Sequence, residues 1–230
     1  MEPNVRRIIA DDSSREMVMS MNQRRLGDTF TALASGAALV VSFVSLWETA
    51  LKEPDLQVFV GDNLGYTLDP WGREEVFVVP VTVTNSGARD GAVLGFELTV
   101  RNPATGASDR YQSSYSVDAS YFGATDDVTV NRHRPKTPYA PVVVAGRTTY
   151  SGTLLFYPKA AGEKPLIEPK SDIELTLTLA TPPPSGWLDR SFATVPRPVT
   201  ISLAVPNFLP GALLTGDLAR LRPKDAGAAK

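Results

Sequence analysis

The side chains able to carry acid–base, nucleophilic or metal chemistry are few in this chain, and they are scattered. His133 is the sole histidine, so a metal site built from several imidazoles is excluded. A Ser-His-Asp relay would have to use it, and its setting in the basic run "NRHRPK" reads as a loop. Asp126 and Asp127 place two carboxylates side by side, but a hard cation needs more oxygen ligands than two neighbours supply, and such a pair is normally solvated. With 0 cysteines, thiolate nucleophiles, thiolate metal sites and disulfides fall away together. The sequence contains no G-x-S-x-G, S-x-x-K or Walker-type motif. It therefore names no catalytic residue, cofactor or metal, and the expectation is a protein that is not an enzyme.

Contact surfaces are better represented. In "YQSSYSVDASYFG", Tyr111, Tyr115 and Tyr121 share one parity, and tyrosines along a strand can stack on sugars or anchor a protein. The plainer account is that this face packs into the core. The stretch "TPPPSGWLDR" joins a stiff polyproline run to Trp187, either a presented docking element or a rigid connection capped by a packed indole. These residues define an alternative expectation of a glycan- or peptide-recognition module. Lys plus Arg number 23 against 25 Asp plus Glu, which leaves no broad positive field and no reason to expect nucleic acid as a partner.

These residues must be positioned by two kinds of element. Between Asp28 and Glu48 lie 19 residues with no charge and no proline, about 28 Å of helix at ~1.5 Å per residue. A core helix would carry charges along its outer side, and this one has none, so a membrane-spanning helix over residues 28–50 is expected. Trp47 suits one membrane interface. Arg15, Arg24 and Arg25 precede the segment while only Lys52 closely follows it, which places the N-terminus in the cytoplasm. "SLWETALKEP" lacks a small-x-small cleavage pair, so an uncleaved signal anchor is expected rather than a cleaved signal peptide. The implied location is a bacterial inner membrane, with the remaining domain periplasmic or extracellular.

Within the span, Thr31, Ser35, Ala38, Ser42, Ser45 and Thr49 are spaced 4, 3, 4, 3, 4 and so fall on one side of a helix. In lipid, helices associate through close backbone approach and interhelical hydrogen bonds, and a seam of small hydroxyl-bearing residues is such a packing face. It predicts self-association or docking on another membrane protein. The competing account is that each hydroxyl bonds the carbonyl one turn back in its own helix.

From Leu56 the pattern changes to alternation of period two, the mark of half-buried strands. In "DIELTLTLA", Ile173, Leu175, Leu177 and Leu179 point one way and Glu174, Thr176 and Thr178 the other. Val199, Ile201, Leu203 and Val205 repeat the pattern. With "LQVFV", "VFVVPVTVTN", "GFELTVRN", "YQSSYSV", "PVVVA" and "TTYSGTLLFY", about eight strands over residues 54–206 predict a mainly β domain built as a sandwich. The stretch "VFVVPVTVTNSGARDGAVLGFELTV", with Val81, Val83, Asn85 and Gly87 followed by Phe96, Leu98 and Val100, resembles the opening hairpin of immunoglobulin-like, CARDB-type and fibronectin-III-like modules of bacterial envelope proteins. That resemblance implies an immunoglobulin-like β-sandwich serving as a binding or spacer module, without catalytic residues. Pro80 departs from a central-strand pattern and predicts an edge position or a bulge.

The flanks complete the organisation. Residues 1–27 form a cytoplasmic segment, and residues 207–230 a tail in which Leu209, Leu213, Leu214, Leu218 and Leu221 predict a short amphipathic helix. The functional expectation is a single-pass membrane protein whose extracytoplasmic domain binds or scaffolds a partner in an envelope complex.

Overall fold

The computed structural model describes residues 30–69, 74–118, 121–122, 129–131, 135–160, 165–184 and 194–224. It contains two compact units, Met1–Leu51 and Lys52–Lys230. In the first, helix α1 runs Phe30–Leu51, and among the described residues it is the one helix long and apolar enough to cross a membrane. Its last turn, Trp47–Leu51, widens to π geometry. Apart from Trp47, every α1 residue is exposed.

The second unit is mainly β. Its elements are β1 (Leu56–Val60), β2 (Leu64–Leu68), β3 (Glu75–Asn85), β4 (Gly91–Val93), β5 (Gly95–Arg101), β6 (Ser108–Val117) and β7 (Thr137–Pro138), then β8 (Val142–Val144), β9 (Thr149–Pro158), β10 (Asp172–Ala180), β11 (Val199–Ala204), helix α2 (Pro210–Thr215) and β12 (Ala219–Pro223). Hydrogen bonding runs β3-β2-β12-β11-β10-β5-β6-β9 and returns from β9 to β3, every pairing antiparallel. The domain is thus a closed eight-stranded barrel, and the immunoglobulin-like sandwich expected from the strand count is corrected. Alternation reveals which face of a strand is dry; it does not say whether the dry faces meet across two sheets or around one closed sheet. Nor do β3 and β5 pair as an opening hairpin, since β9 and β6 stand between them.

The barrel interior is filled by side chains. Tyr66, Phe77, Val79, Phe96, Leu98, Tyr111, Leu154, Phe156, Ile173, Leu175, Leu177 and Leu203 belong to one continuous buried cluster. A second cluster of opposite parity, with Val76, Val78 and Leu155, lies on the outer wall of β3 and β9, covered by Tyr121 and Val130.

Two irregularities shape the wall. β1 and β2 follow one another along the same edge of β3, and between Val60↔Val81 and Gly65↔Val78 four residues stand opposite two. Pro80 sits at this break, its carbonyl accepting the Gly61 N–H at 2.9 Å. β3 is paired on both sides, and the irregularity falls in the facing strand, opposite the residue that has no N–H to offer. In β6, the register to β9 shifts between Ser113 and Tyr115, so residues on either side of this bulge exchange faces.

The chain after residue 206 does more than form a tail. α2 covers six residues and buries Leu213. β12 then places Ala219 and Leu221 in the interior cluster and joins β2 to β11. The barrel therefore extends to Pro223, and Leu221 belongs to its closing strand.

Candidate functional site

A buried carboxylate organises one end of the barrel. Glu75 begins β3 with the same parity as Phe77, Val79 and Val81, so the alternation that buries those residues carries it inward. Tyr66 donates its hydroxyl to Glu75 Oε1 at 2.9 Å, Tyr111 donates to Oε2 at 2.6 Å, and the Ile167 N–H donates to Oε1 at 3.1 Å. The Phe77 ring packs between the two phenols, 4.8 Å edge-on from Tyr111 and 5.4 Å from Tyr66. Burial raises both phenol pKa values above their ordinary range, and the Glu75 charge and hydrogen bonds add to the effect. An anion saturated by three buried donors is a structural tie, fixing β2, β3, β6 and the Ile167 segment to one another.

A second polar centre fixes the point where the chain enters the barrel. Asn85 is 2% exposed, and its Nδ2 donates to the carbonyls of Arg89 at 2.8 Å and Val144 at 3.0 Å. Its Oδ1 accepts the N–H groups of Gly87 at 3.0 Å and Asp55 at 3.2 Å. The Lys52 carbonyl accepts from Ala88 at 3.0 Å and Arg89 at 3.1 Å, and the Asp55 carbonyl from Ser86 at 3.0 Å. Arg89 also pairs with Glu53. A Cβ on Gly87 would stand 2.1 Å from the Glu53 carbonyl oxygen, so only glycine permits this approach. Asn85 and Gly87 thus clasp residues 52–55, the stretch immediately after α1 in the chain.

Residues singled out from sequence fare unequally. Thr31, Ser35, Ala38, Ser42, Ser45 and Thr49 all lie on α1 and are exposed. Thr49 donates its hydroxyl to the Ser45 carbonyl at 2.6 Å, the local bond that competes with an interhelical one. Tyr111 is fully buried inside the barrel and Tyr121 is buried in the outer cluster. Tyr115 is half-buried beside Tyr157, ring centroids 5.7 Å apart, with Lys136 over the ring. The bulge at Ser113–Tyr115 turns Tyr111 inward and Tyr115 outward, so the expected stripe is divided between two cores. Trp187, His133, Asp126 and Asp127 lie outside the described residues. Among the described residues, no three His, Cys, Asp or Glu side chains converge as metal ligands.

Sequence reasoning missed Glu75 as a hub, although its parity with Phe77 and Val79 was a usable signal. Tyr66 lay in "LGYTL", a strand too short and mixed to stand out.

No family model matches the chain and no curated protein matches it. Among solved structures, the crystal structure of the proposed ApaA protein from Bordetella pertussis is similar at 15% identity and a TM-score of 0.29, covering 66% of this chain and 89% of that one. A likeness of that size carries no argument about fold or function.

Proposed function

We propose that the chain is a non-enzymatic, single-pass membrane protein of the bacterial inner membrane, with its N-terminus cytoplasmic and its barrel periplasmic or extracellular. The barrel binds or scaffolds a partner in an envelope complex, and α1 adds a contact with another membrane protein or a second copy. The observation that carries this reading is α1 itself, 22 residues long and not buried inside its own chain, with apolar sides suited to lipid and a hydroxyl-bearing seam suited to another helix.

The β unit supports the same reading. Its interior is packed with side chains, its buried carboxylate is held by three donors, and the segment 52–55 that leads into β1 is clasped, which suits a rigid body that presents an outer surface. Reporter fusions at Lys230 test the topology: the reading expects a dark cytoplasm-dependent fluorophore and an active export-dependent enzyme, and the reverse pattern overturns it. Detergent co-purification tests the assembly, with a stoichiometric membrane partner or self-dimer expected. A chain that purifies alone as a monomer overturns the scaffold.

A further inference from the structure

Beside β12, the described structure holds an open groove of about 560 Å³, its wall including Phe208, Leu209, Leu213, Leu218, Arg220 and Arg222. The volume lies within the range of small binding clefts. β12 alternates buried Ala219 and Leu221 with exposed Arg220 and Arg222, so both guanidinium side chains leave the same side of the strand, about 6.6 Å apart along it. Among the described residues neither is in an ion pair, whereas the next basic residue, Lys224, is paired with Asp172. One carboxylate, Asp217, also lines the groove, leaving a net positive wall.

The apolar part is equally defined. Leu218 packs over the β2 backbone: a Cβ on Gly65 would fall 2.7 Å from its side chain, so a larger residue at 65 would push Leu218 aside. Leu209 is 72% exposed and lines the groove, so its apolar surface is open beside the two arginines. Arginine is enriched among the anchors of protein contacts, and apolar side chains around it exclude water from the pairs it forms.

We propose that this groove is the barrel's docking site for an extended acidic segment of a partner protein. Carboxylates two residues apart in that segment meet Arg220 and Arg222, and apolar residues on the same side of the segment rest on Leu209 and Leu218. Successive same-side carboxylates on an extended chain have the same spacing as the two arginines, which is the charge complementarity that selects this occupant. The proposal rests on the scaffolding reading and identifies the chemistry of its partner.

The test uses the full chain in nanodiscs of zwitterionic lipid and a fluorescein-labelled ten-residue peptide carrying Glu-Thr-Glu-Thr-Leu-Thr-Phe, whose two Glu and two apolar residues share one side when extended, read by anisotropy. Saturable binding is expected, weakened at least tenfold by Arg220→Gln with Arg222→Gln, and weakened comparably by Leu209→Asp. A peptide with Gln for both Glu should not bind. No binding to the wild-type chain, or equal binding to the double-Gln variant with its barrel folded by circular dichroism, overturns the docking site. Displacement of the peptide by phosphatidylglycerol vesicles would assign the groove to a lipid headgroup and also overturn it. Failure of the peptide while a membrane partner still co-purifies removes this groove alone, whereas a cytoplasmic C-terminus removes the membrane reading whatever the peptide does.

Discussion

Replacing Glu75 with Gln keeps the shape of the buried side chain, removes its charge and turns one acceptor oxygen into a donor, so it weakens the tie between β2, β3, β6 and Ile167 without opening a cavity. Three donors converge on the carboxylate, from Tyr66, Tyr111 and the Ile167 backbone. Hydrogen bonds to a charged group contribute ~1.5–3 kcal/mol against ~0.5–1.5 for neutral ones; the Gln oxygen keeps at most two of the three donors at a loss of about 1 kcal/mol each, and the remaining donor meets an NH2 group that cannot accept, so a loss of about 3 kcal/mol is predicted. Glu75→Leu removes every acceptor and strands two hydroxyls and one N–H, at ~1–3 kcal/mol each, and must cost more. A cycle pairing Glu75→Gln with Tyr111→Phe should show a coupling of about 1 kcal/mol. Urea unfolding followed by circular dichroism gives the stabilities, and hydrogen exchange at the Ile167 N–H reports the local bond. A gain in stability in Glu75→Gln would show that desolvating the carboxylate outweighs its hydrogen bonds and would refute the reasoning.

Three further predictions follow from the same geometry and from α1. The phenols of Tyr66 and Tyr111 are held protonated in the fold, so their contribution is complete below about pH 10 and is lost as pH rises beyond it, at about 1.4 kcal/mol per pH unit for each. Burial also raises the phenols of Tyr139 and Tyr157, so absorbance at 295 nm should show at least Tyr66 and Tyr111 ionising only with unfolding, and a smooth titration of all 7 near pH 10 in the folded chain would contradict this. Gly87→Ala drives a methyl into the Glu53 carbonyl and Asn85→Ala leaves the buried Val144 carbonyl without its side-chain donor; each should cost about 2 kcal/mol or more and expose residues 52–55 to protease, and an unchanged cleavage rate counts against the clasp. In the proposed helix pairing, Ser35→Leu with Ser42→Leu would remove two interhelical bonds averaging ~0.6 kcal/mol each, a weakening of roughly sevenfold in a membrane two-hybrid assay; no change would leave the seam without a role.

Individual strands were legible because their alternation is local. Ile173, Leu175, Leu177 and Leu179 all face the interior, as the spacing in "DIELTLTLA" requires. The architecture was not legible, because closure depends on β9 meeting both β3 and β6 and on β12 meeting β2, and no local pattern encodes a partner. β12 itself was hidden: "ARLRP" alternates arginine with small and apolar residues, and leucines on both sides of Gly216 imitate a helical period. The tyrosine stripe misled for a related reason. A parity argument holds only while the register is unbroken, and the bulge at Ser113–Tyr115 divides it. The motif around Asn85 and Gly87 had real structural content, yet the content is a clasp on residues 52–55 rather than a hairpin turn.

Closure by the last strand has a consequence for how the molecule comes into being. β2 and β12 lie at opposite ends of the barrel's sequence, and their pairing of Gly65 with Arg220 seals the ring. A chain delivered N-terminus first cannot complete this domain until β12 has emerged. Until then it is an incomplete ribbon with two raw edges, prone to pair with any neighbouring strand. Truncation before Ala219 removes β12 whole, and with it the pairing that joins β2 to β11, so an otherwise well-formed set of strands is left with two unsealed edges.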